Sequence, residues 1–589
     1  MSRVLSFVFA TLGVFLVTAC GTLSVENKLV TMGWESPLIP GVSTTYDKPL
    51  LLEHRGVVYQ IRYAAMAKLM ARNLQTGADV LVWDGAADGL RSDGLSAYSD
   101  GDKLYIAWRP KLNRNNAQLG GIGDKMVYVA SSADGLTFSA PKRISSADGA
   151  FPPIMTASSN GDVYVVWQDE RSGKAFDMYF NVSHDQGITW KAQDVRVDVG
   201  ALGESFSAEP TMAAESQFVW LAWTESTKAG FIQYVRTSDT RGETWKEPVA
   251  VRTSNKAGFF PQLVRVRGKL FLYWFDQKMV MGASSEDNGT TWKDIPTLVD
   301  VGEDGTNMQE LLVKTDSAHV THMLFGKKGP EQGDRSNVFY MRSADGINFS
   351  QPTRLNSGDM YKASSILPTM DFGPNNTVMV AWMDYRFFRP VVLGAYSADQ
   401  GITWGHDALL DKGPEIGVSQ FPYLLSSSGK WWLSLIRYDI QTMAQGRAVA
   451  NQIDSSAMKD VVPQFGEVVF ERLKGRAEKW WQSRLDADWG TSYDLSDPFV
   501  RARTAKPTYL ASQGAMKYYS YEIVSIQRAD ERKAVVKVKY VSEMPELEIN
   551  GHKYAVPKRE NEVDQDWIWV DGNWYLLFKD IYGKTFLDL

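Results

Sequence analysis

Six short apolar runs in this chain end in Trp or Ile and are followed at once by ionisable side chains. Arg109 follows Trp108. Asp169, Glu170 and Arg171 follow Trp167. Glu225 follows Trp223, and Asp276 follows Trp274. Asp384, Tyr385 and Arg386 follow Trp382, and Arg437, Tyr438 and Asp439 follow Ile436. Carboxylates placed this way can act as acids, bases or hydrogen-bond acceptors, and planar guanidinium forks suit carboxylate or sugar oxygens. Arg109, Asp169, Glu170, Arg171, Glu225, Asp276, Asp384, Arg386, Arg437 and Asp439 are therefore the candidate ligand-binding set. The plainer alternative is that strand ends reaching solvent are charged by default.

Other chemistries are thinly supplied. One Cys and six His exclude a disulfide framework and any Cys-based zinc site, so neither a metal nor a cofactor is expected. Lys+Arg 63 against Asp+Glu 69 leaves a net charge of -6, unsuited to a phosphate backbone, and no nucleic-acid partner is expected. At 589 residues the chain has room for roughly three to five domains, or fewer if one is a large all-β architecture. Hydrophobic residues at 44% permit a sizeable core, and 48 Gly with 20 Trp, 25 Tyr and 26 Phe suit many short strands joined by tight turns.

The elements that must carry the candidate residues repeat. Ser183-His-Asp185-Gln-Gly187-Ile-Thr189-Trp190 recurs at 285–292 and 397–404. Degenerate copies lie at 132–138, 238–245 and 343–349. The octapeptide is a turn by composition. The Asp accepts backbone N–H groups, the Gly supplies a positive φ, and the aromatic ring is buried where the next strand begins. Asp134, Asp185, Asp287, Asp345 and Asp399 are accordingly structural. Upstream of each box stand two strand-like segments, such as 162–167 and 177–182, and an x-Pro step recurs at Pro153, Pro210, Pro261 and Pro368. The unit reads as a four-stranded meander with the box between strands three and four, which is a propeller blade. Two boxless units flank the six boxed ones, near 49–83 and 422–450. The expected fold is mainly β, a propeller of seven or eight four-stranded blades with eight preferred, plus a small α+β C-terminal domain.

The octapeptide resembles the Asp-box, or bacterial neuraminidase repeat, of the sialidase superfamily, over about residues 45–455. That resemblance implies an active site on the face opposite the boxes, where the loops between strands two and three open. It also implies an arginine triad, an Asp acid/base and a Tyr–Glu couple. Asp169 and Tyr438 are the residues that could be cast in such roles. The family's first arginine lies two residues before the Pro of an early strand. Here those positions hold Asp47, Phe151, Ala208, Phe259, Ile366 and Gln420, so the arginine is missing from every unit.

The ends of the chain carry their own signals. Val4 to Val17 is apolar and too short to span a bilayer comfortably, and Val17-Thr18-Ala19-Cys20 resembles a bacterial lipobox. The resemblance implies a signal peptide over 1–19, lipidation of Cys20, and a tether over 20–44. Gly21 in place of Asp implies sorting to the outer membrane. Residues 456–589 read as a linker and an α+β domain, with an amphipathic helix over 467–485, a short helix near 489–501, and strands ending in a hairpin at Asp571-Gly572. This order is similar to the nuclear transport factor 2-like cone, in which Trp480, Trp481, Trp567, Trp569 and Trp574 are core. The expected function is a lipid-anchored cell-envelope binding or scaffold protein recognising a glycan or an envelope protein. The alternatives are a divergent exo-sialidase or other glycoside hydrolase, and an assembly factor for a membrane complex.

Overall fold

The apolar runs ending in Trp are second strands of successive sheets. The computed structural model describes residues 30–35, 39–40, 48–64, 68–85, 90–112, 125–157, 160–228, 230–255, 258–276, 278–301, 311–328, 336–357, 365–385, 390–411, 417–439, 445–458, 468–497, 501, 506–513, 516–529, 533–549, 552–570 and 572–577. Among them, eight antiparallel sheets follow one another up to residue 453, and a ninth lies near the C-terminus. The chain is mainly β, built of many four-stranded sheets, and consistent with a propeller.

Burial explains the pattern of the second strands. Leu104, Tyr105, Ile106, Ala107 and Trp108 are all fully buried, as are Val163 to Trp167. A strand covered on both faces reads as a continuous apolar run rather than an alternating one. Two of the outer fourth strands are the reverse: Lys142–Arg143 and Thr353–Arg354 are two residues long, exposed and basic, which blunts an exposed edge.

Four of the eight first strands carry an irregularity that the sequence marks with proline. Register shifts fall between Ala208 and Thr211, Phe259 and Gln262, Ile366 and Thr369, and Gln420 and Tyr423. In each case the residue before Pro sits in the left-handed region: Glu209, Phe260, Leu367 and Phe421 have φ of 52–57°. Proline has no N–H to give to the ladder, so a bulge is where a strand tolerates it. The prolines at 210, 261 and 368 thus lie inside first strands instead of opening them.

Successive sheets pack against one another through first strands, and the first strand of the eighth sheet, Gly417–Ser427, also packs against that of the first, Leu50–His54. Gln60 Nε2 donates to Ser434 Oγ at 2.7 Å and to the Val449 carbonyl at 2.9 Å, tying the first sheet to the eighth. The eighth sheet takes its outer strand from the far end of the chain. Val30–Glu35 pairs antiparallel with Gln445–Ile453, with Val30 opposite Ile453. Residues 30–35 and 39–40 therefore belong to a sheet rather than to the tether expected over 20–44.

The C-terminal region is built on its own core. Helix α1, Arg472–Leu485, lays Leu473, Ala477, Trp480 and Trp481 on Ala534, Val536, Val538, Trp567, Trp569 and Trp574 of the ninth sheet. Trp481 donates to Gln565 at 3.0 Å. Short helices α2, Trp489–Asp494, and α3, Lys506–Ala511, follow before the strands begin.

Candidate functional site

The six boxes occupy the same place, between third and fourth strands of the second to seventh sheets. They close on themselves. Gly187 N–H and Ser183 Oγ meet at 2.8 Å, while Asp185 accepts Thr189 N–H at 2.7 Å and Thr189 Oγ1 at 2.6 Å. The same bonds recur at Asp287 and Asp399, whose carboxyls are drawn down to about 2, first by the Thr291 and Thr403 hydroxyls and then by the same residues' N–H groups. The turns also dock on the preceding sheet: Tyr59 donates to the Asp134 carbonyl, Trp220 to that of Asn288 and Tyr273 to that of Gly346.

The candidate residues lie at the other ends of the second strands, and a local rule places them. A Trp at one position and an acid two residues later project from the same side of a strand. Trp167 Nε1 donates to Asp169 at 3.0 Å, Trp223 to Glu225 at 2.8 Å and Trp382 to Asp384 at 3.0 Å. A serine completes each of the last two carboxylates, from Ser207 to Glu225 at 2.7 Å and from Ser365 to Asp384 at 2.7 Å. Asp276 accepts Ser254 Oγ at 3.0 Å. Asp169, Glu225 and Asp384 are 0%, 0% and 1% exposed.

The arginines are held as firmly. Arg171 bridges Asp169 at 2.6 Å and Asp194 at 2.9 and 3.0 Å, and its guanidinium lies 3.7 Å over the Tyr179 ring. Burial alone disfavours its charge, but the two carboxylates outweigh that and raise its pKa. Arg437 contacts Asp411 at 3.0 and 3.2 Å, and Arg109 donates to the Ala150 carbonyl at 3.0 Å from a buried position. Glu170 pairs with Lys125. Arg386 and the side chain of Asp439 lie outside the described residues. The structure thus brings Asp169, Glu170 and Arg171 together, and distributes the rest singly over neighbouring sheets.

Two features on or near this face were missed in the sequence. Ser207 Oγ lies 2.9 Å from Asp198 Oδ2 and 2.7 Å from Glu225 Oε2. One hydroxyl proton cannot serve two carboxylates, so the geometry calls for a proton on one acid. Asp198, pushed up to about 6 by burial against the pull of Arg196, takes up a proton there more readily than an ordinary Asp. It stands in the connection from the third sheet to the fourth, which shares the face with the loops between strands two and three. Reading those connections as well as the loops would have found it.

The second feature is a cavity of about 240 Å³ lined by Lys48, Leu312, Lys314, Leu367, Pro368, Thr369, Phe421, Pro422 and Tyr423. It lies among first strands of the sixth, seventh and eighth sheets, with Lys48 just ahead of the first. Lys48, Leu367 and Phe421 each precede a proline. Lys314 donates to the Met370 carbonyl at 2.8 Å and lies 3.6 Å from Asp371. Lys48 forms no ion pair among the described residues. Among the described residues no three His, Cys, Asp or Glu side chains converge as metal ligands do.

No family model matches the chain, and no curated protein matches it in sequence. Solved structures that resemble it do so at low similarity. One is from a study of two prolyl endopeptidases, 12% identical over 67% of this chain and 55% of that one, TM-score 0.40, so the match spans about half of that protein. Another is the polysaccharide lyase Uly1, 10% identical over 72% of this chain and 100% of that one, TM-score 0.40. A third is the NanB sialidase of Streptococcus pneumoniae, 9% identical over 72% of this chain and 92% of that one, TM-score 0.34.

Proposed function

We propose that this chain is a lipid-anchored binding or scaffold protein of the cell envelope. Its eight sheets close as an eight-bladed propeller that recognises a glycan or an envelope protein on the face away from the boxes. The C-terminal unit from about residue 468 is a separate α+β domain of cone-like form. The observation that carries the reading is the way the strand-end acids are held. Asp169, Glu225 and Asp384 are buried and bonded to an indole two residues earlier. Acids saturated in this way stiffen a rim, whereas a glycosidase needs two carboxyls open to the sugar. The missing arginine before each proline supports the same conclusion. What is left to meet a ligand is the cavity among the first strands, where Lys48 offers an uncommitted cation beside the apolar Leu367 and Phe421. A ligand carrying an acidic substituent suits it.

The test pairs turnover with binding. Purified protein is offered fluorogenic sialosides and a glycan array, and captured ligands are remeasured with Lys48→Ala. The expected result is no turnover, and binding weakened about tenfold or more by loss of one charge-assisted hydrogen bond. Glycoside turnover abolished by Glu225→Gln would overturn the reading in favour of a hydrolase.

A further inference from the structure

We infer that the box-bearing face is turned towards a lipid surface and rests on it through the aliphatic tips of four box turns. The inference rests on the lipid anchor at Cys20 proposed above and goes beyond it by assigning which face the anchor presents.

The first line of argument is where the chain leaves the sheets. In the boxed sheets the third strand ends at the box face. The third strand of the eighth sheet ends at Ile453, and Val30 is its partner there. Val30 therefore begins at the box end, and residues 21–29 are all that separate it from Cys20. Ten Cα steps span at most roughly 35 Å. The neighbouring strand Lys430–Asp439 has 10 residues, about 33 Å from one face to the other. A tether drawn past the sheet to present the opposite face would be used up in the crossing. Attached at Cys20, the box face is the near one. No helix among the described residues is long and apolar enough to cross a membrane.

The second line is what that face exposes. Leu136, Ile188, Ile347 and Ile402 are 52%, 61%, 37% and 64% exposed. Each follows the box glycine, so all four occupy one position of the repeat. They make up half of the eight exposed large apolar side chains described before residue 458, and all four stand on the box turns. The fourth and fifth sheets place Glu243 and Thr290 there instead. The apolar tips thus stand on the second and third sheets and on the sixth and seventh, two opposed arcs on which a flat surface can rest. The turns are closed by Ser–Asp–Thr bonds, or Ser–Asp–Asn at 343–348, so presenting these side chains requires little further ordering. Shallow burial of aliphatic tips adds buried apolar area to the attachment that the covalent lipid provides.

The experiment uses the full lipidated chain in vesicles of phosphatidylethanolamine and phosphatidylglycerol with brominated acyl chains. Cys20 is the single cysteine and carries the lipid, so a polarity-sensitive dye labels only an introduced thiol. Ile188→Cys and Ile402→Cys report on the box face, and Leu202→Cys, 53% exposed in the connection between third and fourth sheets, reports on the other. The expected result is quenching at 188 and 402 at least about threefold that at 202, as shallow insertion requires. Equal or stronger quenching at 202, with the lipid present by mass spectrometry, overturns the orientation alone. Absence of lipid on Cys20 overturns the anchor and the orientation with it. Concentration-dependent self-quenching at 188 and 402 without vesicles marks a second copy on this face and overturns the lipid contact.

Discussion

At the residue scale the open face is organised by sharing. Ser207 stands between Asp198 and Glu225, and a single hydroxyl proton cannot satisfy both. With Asp198 raised from an ordinary 3.8 to about 6, the folded chain holds a proton there that the unfolded chain has released. Between those values the native state binds more protons, so its stability falls as pH rises, and the contribution is gone once pH passes through 6. The expected size is up to roughly 2–3 kcal/mol. Asp198→Asn keeps a neutral donor at all pH values. Urea unfolding at pH 5 and pH 8 should show wild type losing more stability than the variant over that interval, and parallel losses would refute the shared proton. A second prediction concerns the indole clamps. Trp167→Phe keeps a large ring in the core but removes a donor from fully buried Asp169. It should cost about 1–3 kcal/mol, read as a lowered melting temperature. A variant as stable as wild type would show that Arg171 suffices for this carboxylate.

At the element scale the box is both a turn and a wedge. Gly401 has φ 81° and a methyl group there would fall on the Tyr340 hydroxyl of the preceding sheet. Gly101, at φ 89° in another turn, has nothing within 4 Å of the same position. Gly101→Ala should therefore cost only backbone strain, about 1 kcal/mol, while Gly401→Ala adds an overpacking cost of about 1–3 kcal/mol. Equal melting temperatures for the two would mean the boxes do not press on their neighbours. Such turns are legible in a sequence because their chemistry is local. Ser, Asp, Gly, Thr and Trp within eight residues contain nearly every bond the turn makes. The second strands are legible too, since burial on both faces leaves continuous apolar runs. What was not legible depends on partners far away or on weak local signals. The meeting of Asp198 with Glu225 through Ser207 needs a connection and two strands to come together. In the C-terminal region the strands Lys533–Ile549 and His552–Val570 run to 17 and 19 residues. Asn550-Gly551 between alternating residues was a hairpin signal, obscured by Pro545 and by the charged residues of 557–566.

At the scale of the whole molecule the sheets are held by how the ring ends. The first and eighth sheets share Leu51, Val58 and Leu74 with Trp432 and Ala450, an apolar joint formed between segments more than 350 residues apart in sequence. Val30–Glu35 then covers the outer edge of Gln445–Ile453. This strand could not be read locally, because Val-Thr-Met-Gly-Trp-Glu has no box, and its partner lies at the far side of the repeats. It satisfies the ladder of the eighth sheet, and under the proposed anchor it would also fix the face from which residues 20–29 depart. Removing residues 1–40 separates the strand's role from that of the proposed lipid. The exposed edge of 445–453 would present unpaired N–H and C=O groups to other chains. The truncated protein should melt lower than wild type and self-associate, whereas Cys20→Ser, which keeps the strand, should self-associate no more than wild type, be as stable, and lose the proposed membrane attachment. Light scattering and calorimetry on the two proteins check this. If the truncated chain is as stable and as monodisperse as Cys20→Ser, the N-terminal strand is an appendage, and the eighth sheet closes the ring with three strands alone.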